Sequence, residues 1–192
     1  MHQANYAPVR WHQTLDVGYL PNPKLPNSFM ATAIDTYDNG DIHPRYKSVV
    51  AKRLSDAAMA QVYNTPGAKP LIGPFPKTLK LSSPSRLKVT LDQAVFYKPI
   101  SGFYVCCKAD ADECDADEEK SGWTSVAEVK FDGSASFDVY AAECTPSGFA
   151  YAWETNPFKK YLGAAVYSKD GFWLPALPWR CVVKDGAGCV IS

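Results

Sequence analysis

Hydrophobic and polar positions along the chain follow two different patterns, one before and one after about residue 68. In the first part, FMATAI at Phe29–Ile34 is an apolar run of strand length, followed by polar turn residues at 38–41. This pattern predicts a short buried strand that ends near Asp35. Pro44 suits the first position of a helix, where its missing N–H has no intrahelical partner to lose.

The residues after Pro44 repeat with helical spacing and predict one amphipathic helix. Its predicted apolar face holds five residues: Val50, Leu54, Ala57, Ala58 and Val62. Its predicted solvent-facing side holds four: Lys52, Arg53, Ser55 and Asp56. We expect the helix to end before Thr65, where a Thr-Pro-Gly sequence begins. Residues 1–27 are polar and rich in proline, and are predicted to be loop.

From Lys77 onward the pattern changes to short segments rich in Val, Phe and Tyr, separated by Pro, Gly, Ser and Asp. The segments are TLKLSS, RLKVTL, AVFYKP, GFYVCC, SVAEVKF, ASFDVY and FAYAWE. Several alternate apolar and polar residues, which predicts antiparallel strands and a β-sandwich or small barrel. The chain is therefore divided into residues 1–68, with one strand and one helix, and a β-sandwich-like domain at residues 69–192.

Charge and hydropathy exclude two classes of partner. The 192 residues include 20 Lys and Arg and 20 Asp and Glu, with no basic cluster, so nucleic acid is not indicated as a partner. No apolar run approaches the roughly 18 residues that a membrane helix needs. The N-terminus also lacks the basic and apolar regions of a signal peptide.

The chain has six cysteines, all in its C-terminal half: Cys106, Cys107, Cys114, Cys144, Cys181 and Cys189. No C-x-x-C pair is present, which disfavours a zinc site. An even number in a β-rich region is typical of disulfides in a secretory compartment, and free buried thiols are the alternative. The sequence does not choose among the possible pairings.

The segment Asp110–Glu119 concentrates acidic residues, with seven in ten positions. Calcium binding is one interpretation, but the segment lacks the glycine and the ligand spacing of an EF-hand loop. The alternative is a solvated hairpin loop.

Asp41 and His43 are the candidate catalytic residues of the first part. A neutral imidazole can accept a proton from a serine hydroxyl, and a carboxylate on its other ring nitrogen fixes the tautomer. An Asp two residues before a His, in a loop after a strand, can reach this geometry, and Asp35 or Asp38 could supply the carboxylate instead. The alternative is structural: His43 lies at a helix start and Asp41 is a suitable capping residue.

No nucleophile accompanies this candidate base. None of the serines lies in G-x-S-x-G or in a Gly-Asp-Ser context after a strand. Cys106 and Cys107 lie on a predicted strand, which is unlike the helix starts where activated thiolates occur.

Two long blocks resemble the C-terminal portion of the sialate O-acetylesterases: RWHQTLDVGYLPNPKLPNSFMATAID at Arg10–Asp35 and DIHPRYKSVVAKRL at Asp41–Leu54. GPFPKTLKL, FYVCCKADADEC, FAYAWETNP and LPALPW continue the resemblance to Trp179. It implies an α/β plus all-β chain: the C-terminal strand-helix end of an SGNH-type α/β hydrolase domain, followed by an antiparallel β-sandwich-like domain.

The resemblance also implies a function. Members of this family remove O-acetyl groups, notably at the 9-position, from sialic acids by a Ser-His-Asp mechanism that needs no metal or cofactor. They act in lysosomes or outside the cell. His43 matches the catalytic histidine and Asp41 the orienting acid, with Asp35 in reserve. Arg10 and Gln13 are candidate substrate-binding residues, because a guanidinium can contact a sialic acid carboxylate at two points. The alternative for Arg10 is to hold a loop.

The family's nucleophilic serine and oxyanion segments lie upstream of the matching blocks. We therefore expect the chain to be the C-terminal part of a longer esterase, or to associate with a separate N-terminal esterase segment, and to be inactive by itself. The alternative from another class is a non-catalytic carbohydrate-binding or interaction module. A hydrolase that uses a serine of this chain is a third hypothesis.

Overall fold

Helices occupy the N-terminal part of the chain and strands the remainder. The computed structural model describes residues 6–14, 19–38, 43–68, 72–98, 102–115, 122–141, 144–184 and 188–191. Two α-helices, α1 (Tyr6–Thr14) and α2 (Lys47–Gln61), lie within these ranges, together with a single-turn 3₁₀ helix at Ala111–Cys114.

Strands account for most of the described residues after Pro76. They are β1 (Pro76–Ser83), β2 (Arg86–Leu91), β3 (Val95–Tyr97), β4 (Phe103–Cys106), β5 (Trp123–Ser125), β6 (Glu128–Phe131), β7 (Ser136–Tyr140), β8 (Gly148–Tyr151), β9 (Val166–Ser168), β10 (Trp179–Lys184) and β11 (Gly188–Ile191). Each of the seven predicted segments contains strand, and SVAEVKF spans parts of two. β9, β10 and β11 were not predicted. We call Pro76–Ile191 the sheet region.

Nine of these strands form one antiparallel sheet in the order β5-β4-β8-β10-β11-β1-β2-β7-β6, which curls into a half-barrel. β3 and β9 pair separately. The prediction of antiparallel strands is confirmed. Of the two predicted architectures, the single curled sheet is closer to a small barrel than to a β-sandwich of two facing sheets. Alternation within a strand shows that one face is buried, as for Leu87, Val89 and Leu91 of β2. It does not show which strands become neighbours.

The neighbouring strands β4 and β8, near one edge of the sheet, are buried on both faces. One face, which includes Phe103 and Phe149, lies in the main core. The other face, which includes Tyr104 and Ala150, packs in a second cluster with Ala7 and with the partly buried Trp11 of α1. α1 therefore covers the back of β4 and β8.

The loop predicted for residues 1–27 is wrong over Tyr6–Thr14, which forms α1. Pro8 is the third residue of the helix and lies in its first turn, where proline is tolerated. The apolar residues of this helix are few, and its packing against the sheet provides the burial that supports it.

Two local predictions for the following segment are also corrected. Phe29–Ile34 is not a strand, since it forms no ladder with a described segment, and Ile34 lies in a turn and packs against the main core. α2 begins at Lys47 and not at Pro44, and it ends at Gln61, before Thr65 as predicted.

Arg53 was predicted to face the solvent, but it is buried, with 8% of its surface exposed. Leu54 and Val62 of the predicted apolar face are exposed, whereas Ala57 is buried as predicted. The inward face of α2 is therefore rotated toward Arg53. Its position, three residues after Val50 and four before Ala57, places it on the same face as both.

The six cysteines form three disulfides: Cys106–Cys114, Cys107–Cys144 and Cys181–Cys189. The disulfide prediction is confirmed, and the alternative of free thiols is wrong. Cys181–Cys189 joins the neighbouring strands β10 and β11. In the parts of the chain described here, no helix has the length and apolar character needed to cross a membrane.

Candidate functional site

The segment that carries His43 is closed by a contact between Asp38 and Arg45. The Arg45 backbone N–H and Nε–H donate to Asp38 Oδ2 at 2.9 and 2.8 Å. These hydrogen bonds hold the pKa of the Asp38 carboxyl below its usual value. His43 is exposed between these two residues. Asp41, the predicted orienting acid, lies outside the described residues.

Asp35, the reserve candidate for the acid, is completely buried. Arg53 Nη1 and Nη2 donate to its two oxygens at 2.7 and 2.8 Å, and the Tyr167 hydroxyl donates to Oδ2 at 2.9 Å. Burial and the Asp35 charge raise the pKa of Tyr167. Both oxygens of Asp35 are thus engaged in joining α2 to β9 of the sheet region.

Arg10 and Gln13 lie one helical turn apart on α1, so their side chains share a face. Arg10 Nη1 donates to the Glu154 carbonyl at 2.6 Å, and Nη2 donates to the Thr155 carbonyl at 2.5 Å. Burial lowers the pKa of Arg10. The guanidinium therefore ties α1 to the segment after β8, which is the loop-holding role weighed for it in the sequence.

Arg10 and Gln13 also line two adjoining cavities. One, of about 320 Å³, lies between α1 and the segment from Tyr19 to Ile34. The other, of about 400 Å³, is bounded by Tyr37, Pro44 and Asn156 in addition to Arg10 and Gln13. Pro44 directly follows the candidate base in sequence, but His43 itself is not among the residues that line this cavity. The structure thus brings the predicted substrate-binding pair and the His43 segment to one cavity.

Three tryptophans near these cavities pack against one another or in the core. Trp153 and Trp179 are 2% and 1% exposed, and Trp11 packs edge-on against Trp153 with a 5.5 Å separation of ring centroids. Their position supports a packing role and leaves little surface for a ligand.

The acidic segment is only partly a solvated loop. Asp115 accepts the indole N–H groups of Trp123 and Trp153 at 2.7 and 2.9 Å and pairs with Arg180. This part of the segment is therefore structural, and residues 116–119 lie outside the described ranges. The described residues contain no group of three His, Cys, Asp or Glu side chains arranged to hold a metal ion.

Sequence reasoning missed the Arg53–Asp35–Tyr167 contact. The spacing of Arg53 relative to Val50 and Ala57 was the available signal on the helix. Tyr167 gave none, because it is 132 residues away from Asp35.

Comparison with known proteins identifies the family. Residues 78–183 match the family model "Sialate O-acetylesterase C-terminal domain". The sialate O-acetylesterase of Mus musculus is 36% identical over 184 residues, which cover 91% of this chain and 32% of the relative. That of Homo sapiens is 32% identical over 186 residues, covering 94% of this chain and 34% of the relative. The chain thus spans about a third of the length of these relatives.

A solved structure shares the fold. It is a carbohydrate acetylesterase from Xanthomonas citri, with a TM-score of 0.60 and 23% sequence identity, over 84% of this chain and 34% of that one. The family model covers more than half of the chain, and the relatives align with nearly all of it. The chain therefore belongs to the family of the sialate O-acetylesterase C-terminal domain.

Proposed function

We propose that this chain is the histidine-bearing C-terminal part of an SGNH-type sialate O-acetylesterase, which hydrolyses O-acetyl esters of sialic acids, notably at the 9-position. The observation that supports the proposal is a cavity lined by Arg10, Gln13 and Pro44, the residue that follows His43 in the sequence. The identity to curated sialate O-acetylesterases supports it. The partner substrate is an O-acetylated sialic acid or a related acetylated sugar.

The mechanism is a two-step acyl transfer. A serine of the upstream esterase segment attacks the acetyl carbonyl, and His43 accepts the serine proton. His43 then gives this proton to the departing sugar hydroxyl, which leaves an acetyl-enzyme. Water, deprotonated by the same imidazole, releases acetate and restores the serine. Asp41 fixes the imidazole tautomer and stabilises the imidazolium. No step requires a metal or a cofactor.

Arg10 and Gln13 would orient the sugar. The two Arg10 hydrogen bonds to the carbonyls after β8 fix the guanidinium in the cavity wall. A fixed cation there favours the carboxylate of a sialic acid, and the Gln13 amide can accept or donate to sugar hydroxyls. The three disulfides fit a lysosomal or extracellular location for the full-length protein.

Acetate release from 9-O-acetylated sialic acid tests the proposal. It is measured for the 192-residue chain, for a chain extended upstream by the esterase segment, and for His43→Ala in the extended chain. We expect only the extended chain to be active, and His43→Ala to lower kcat by about 10²–10⁴-fold, the usual contribution of a general base.

His12→Ala is the matched control, because His12 is also exposed and lies on α1. It should leave kcat within about twofold of the parent, since no step of the proposed mechanism uses the His12 imidazole. Full activity in His43→Ala would overturn the role of the base. Activity of the 192-residue chain alone would show that a nucleophile lies within it.

A further inference from the structure

Two large aromatic side chains are exposed side by side on the loop after β9. Phe172 and Trp173 are 50% and 51% exposed, whereas Trp153, Trp179 and Tyr151 are buried. Two half-exposed aromatic side chains lack the stabilisation that full burial would give them. Adjoining exposed aromatic residues often mark a binding surface.

The loop that carries these residues is held rigidly. Ser168 Oγ donates to Asp170 Oδ1 at 2.7 Å, and the Phe172 N–H donates to the same oxygen at 3.0 Å. The Leu174 N–H donates to Ser168 Oγ at 3.1 Å, and the Ser168 N–H donates to the Leu174 carbonyl at 2.8 Å. The aromatic pair is therefore preorganised, which lowers the entropic cost of binding.

Trp173 also has a backbone conformation that its side chain does not favour. Its φ is 54°, in the left-handed region that bulky residues rarely adopt. Its indole ring packs against the edge of Phe96 at 5.0 Å, and Lys98 Nζ lies 5.7 Å from its centre. A glycine would fit this backbone without strain. The presence of Trp at this position therefore points to a use for the ring.

A cavity of about 370 Å³ lies between this loop and α2. Phe172, Trp173 and Leu174 line one side. Lys52, Arg53 and Asp56 of α2 line the other. Lys52 and Asp56 are joined by an ion pair of 2.7 Å, and Arg53 is paired with the buried Asp35. An aromatic surface thus faces two cations, each paired with a carboxylate, across a site of the size that small ligands occupy.

We propose that this cavity binds a neutral pyranose residue of a glycan chain. The C–H face of a pyranose ring carries a partial positive charge and packs on the negative face of an aromatic ring. Its hydroxyls both donate and accept, so they match a carboxylate next to an ammonium group. A purely apolar peptide would form no hydrogen bonds with the Lys52–Asp56 pair. An anionic ligand would gain no net electrostatic attraction, because the positive charge of Lys52 is balanced by Asp56.

This cavity is distinct from the proposed esterase site, because different residues line it. It uses none of Arg10, Gln13 or His43. It would hold a sugar residue of the glycan while an acetyl ester elsewhere is hydrolysed, and its binding can be measured without any turnover.

The test is titration of the 192-residue chain with lactose, followed by tryptophan fluorescence and by chemical shifts of the indole N–H groups. We expect saturable binding, with the Trp173 indole among the perturbed signals. Trp173→Gly removes the ring and relieves the positive φ, so the variant should remain folded by circular dichroism. We expect it to weaken lactose binding about tenfold or more.

Tyr63→Ala is the matched control, since Tyr63 is 71% exposed on the segment after α2 and does not line the cavity. It should bind lactose as the parent does, and Asp56→Asn should bind more weakly. Absence of lactose binding, or unchanged binding in Trp173→Gly, would overturn the proposal. Tighter binding of sialyllactose that is lost in Lys52→Met would assign an anionic sugar instead. A dimer that dissociates in Trp173→Gly would assign the surface to a second copy of the chain.

Discussion

Arg53 and Asp35 form a two-point ion pair that is buried between α2 and the sheet region, with nitrogen–oxygen distances of 2.7 and 2.8 Å. The pair lies between the helix that follows His43 and strand β9, because Tyr167 donates to the same carboxylate. It therefore fixes the position of the helix that follows the candidate base.

Breaking this pair should destabilise the protein strongly. Arg53→Met leaves the Asp35 carboxylate buried without its cation, and we expect the free energy of unfolding to fall by about 3–5 kcal/mol. Urea denaturation measures this change. Lys52→Met, at the adjacent and largely exposed ion pair with Asp56, should cost less than about 1 kcal/mol. Equal effects of the two substitutions would contradict a special role for the buried pair.

The acid of the proposed triad can be identified by separating activity from stability. In the extended chain, Asp41→Asn should lower kcat about 10²–10⁴-fold with little change in unfolding free energy, because it disturbs the tautomer of His43. Asp35→Asn should mainly destabilise the fold, since Arg53 would lose its partner. If Asp35→Asn instead lowers kcat in a folded enzyme and Asp41→Asn does not, then Asp35 is the triad acid.

Asp38 should make stability depend on pH at the acidic end. Arg45 lowers the pKa of its carboxyl, so the ionised form is favoured in the folded state. The stabilisation is therefore fully present above the ordinary Asp pKa of about 3.9 and is lost as the pH falls through the lower folded-state value. The difference in unfolding free energy between the parent and Asp38→Asn should be constant from pH 5 to 7 and shrink below about pH 4.

Arg45→Met serves as the comparison for Asp38. It removes the Nε donor but keeps the backbone N–H, so its effect should have the same dependence on pH and a smaller size. A difference between the parent and Asp38→Asn that increases as the pH falls would be incompatible with a lowered pKa.

Removal of the Cys107–Cys144 disulfide should cost more stability than removal of Cys181–Cys189. The two bridges span 37 and 8 residues in sequence, and the longer closed loop restricts the unfolded chain more. The loop-entropy relation gives roughly 4 kcal/mol for the first and roughly 2.5 kcal/mol for the second. Double Cys→Ala variants compared by guanidinium denaturation measure both. The reverse order would mean that contacts in the folded state, and not chain entropy, set the difference.

The strands were the most predictable elements because their signal is local. In β2, alternate residues point to opposite faces, and Leu87, Val89 and Leu91 are buried as the alternation predicts. β9 has only three residues, too few to show alternation. α1 could not be predicted, because its support comes from packing on the back of β4 and β8 and not from its own composition.

The pattern of side chains along the chain is sufficient to predict antiparallel strands, a helix that ends before Thr65, cysteines suited to disulfides, and His43 as a candidate base. These features depend on residues within a few positions of one another. Whether the strands form one curled sheet or two facing sheets depends on pairing between distant segments. The burial of Arg53 likewise depends on distant residues. Asp35 is 18 residues from Arg53, and Tyr167, which holds the same carboxylate, is 132 residues from Asp35. A charged side chain is stable in the interior only where the fold brings an opposite charge and hydrogen-bond partners to it. The burial of Arg53 was therefore decided by the tertiary structure and not by the local sequence.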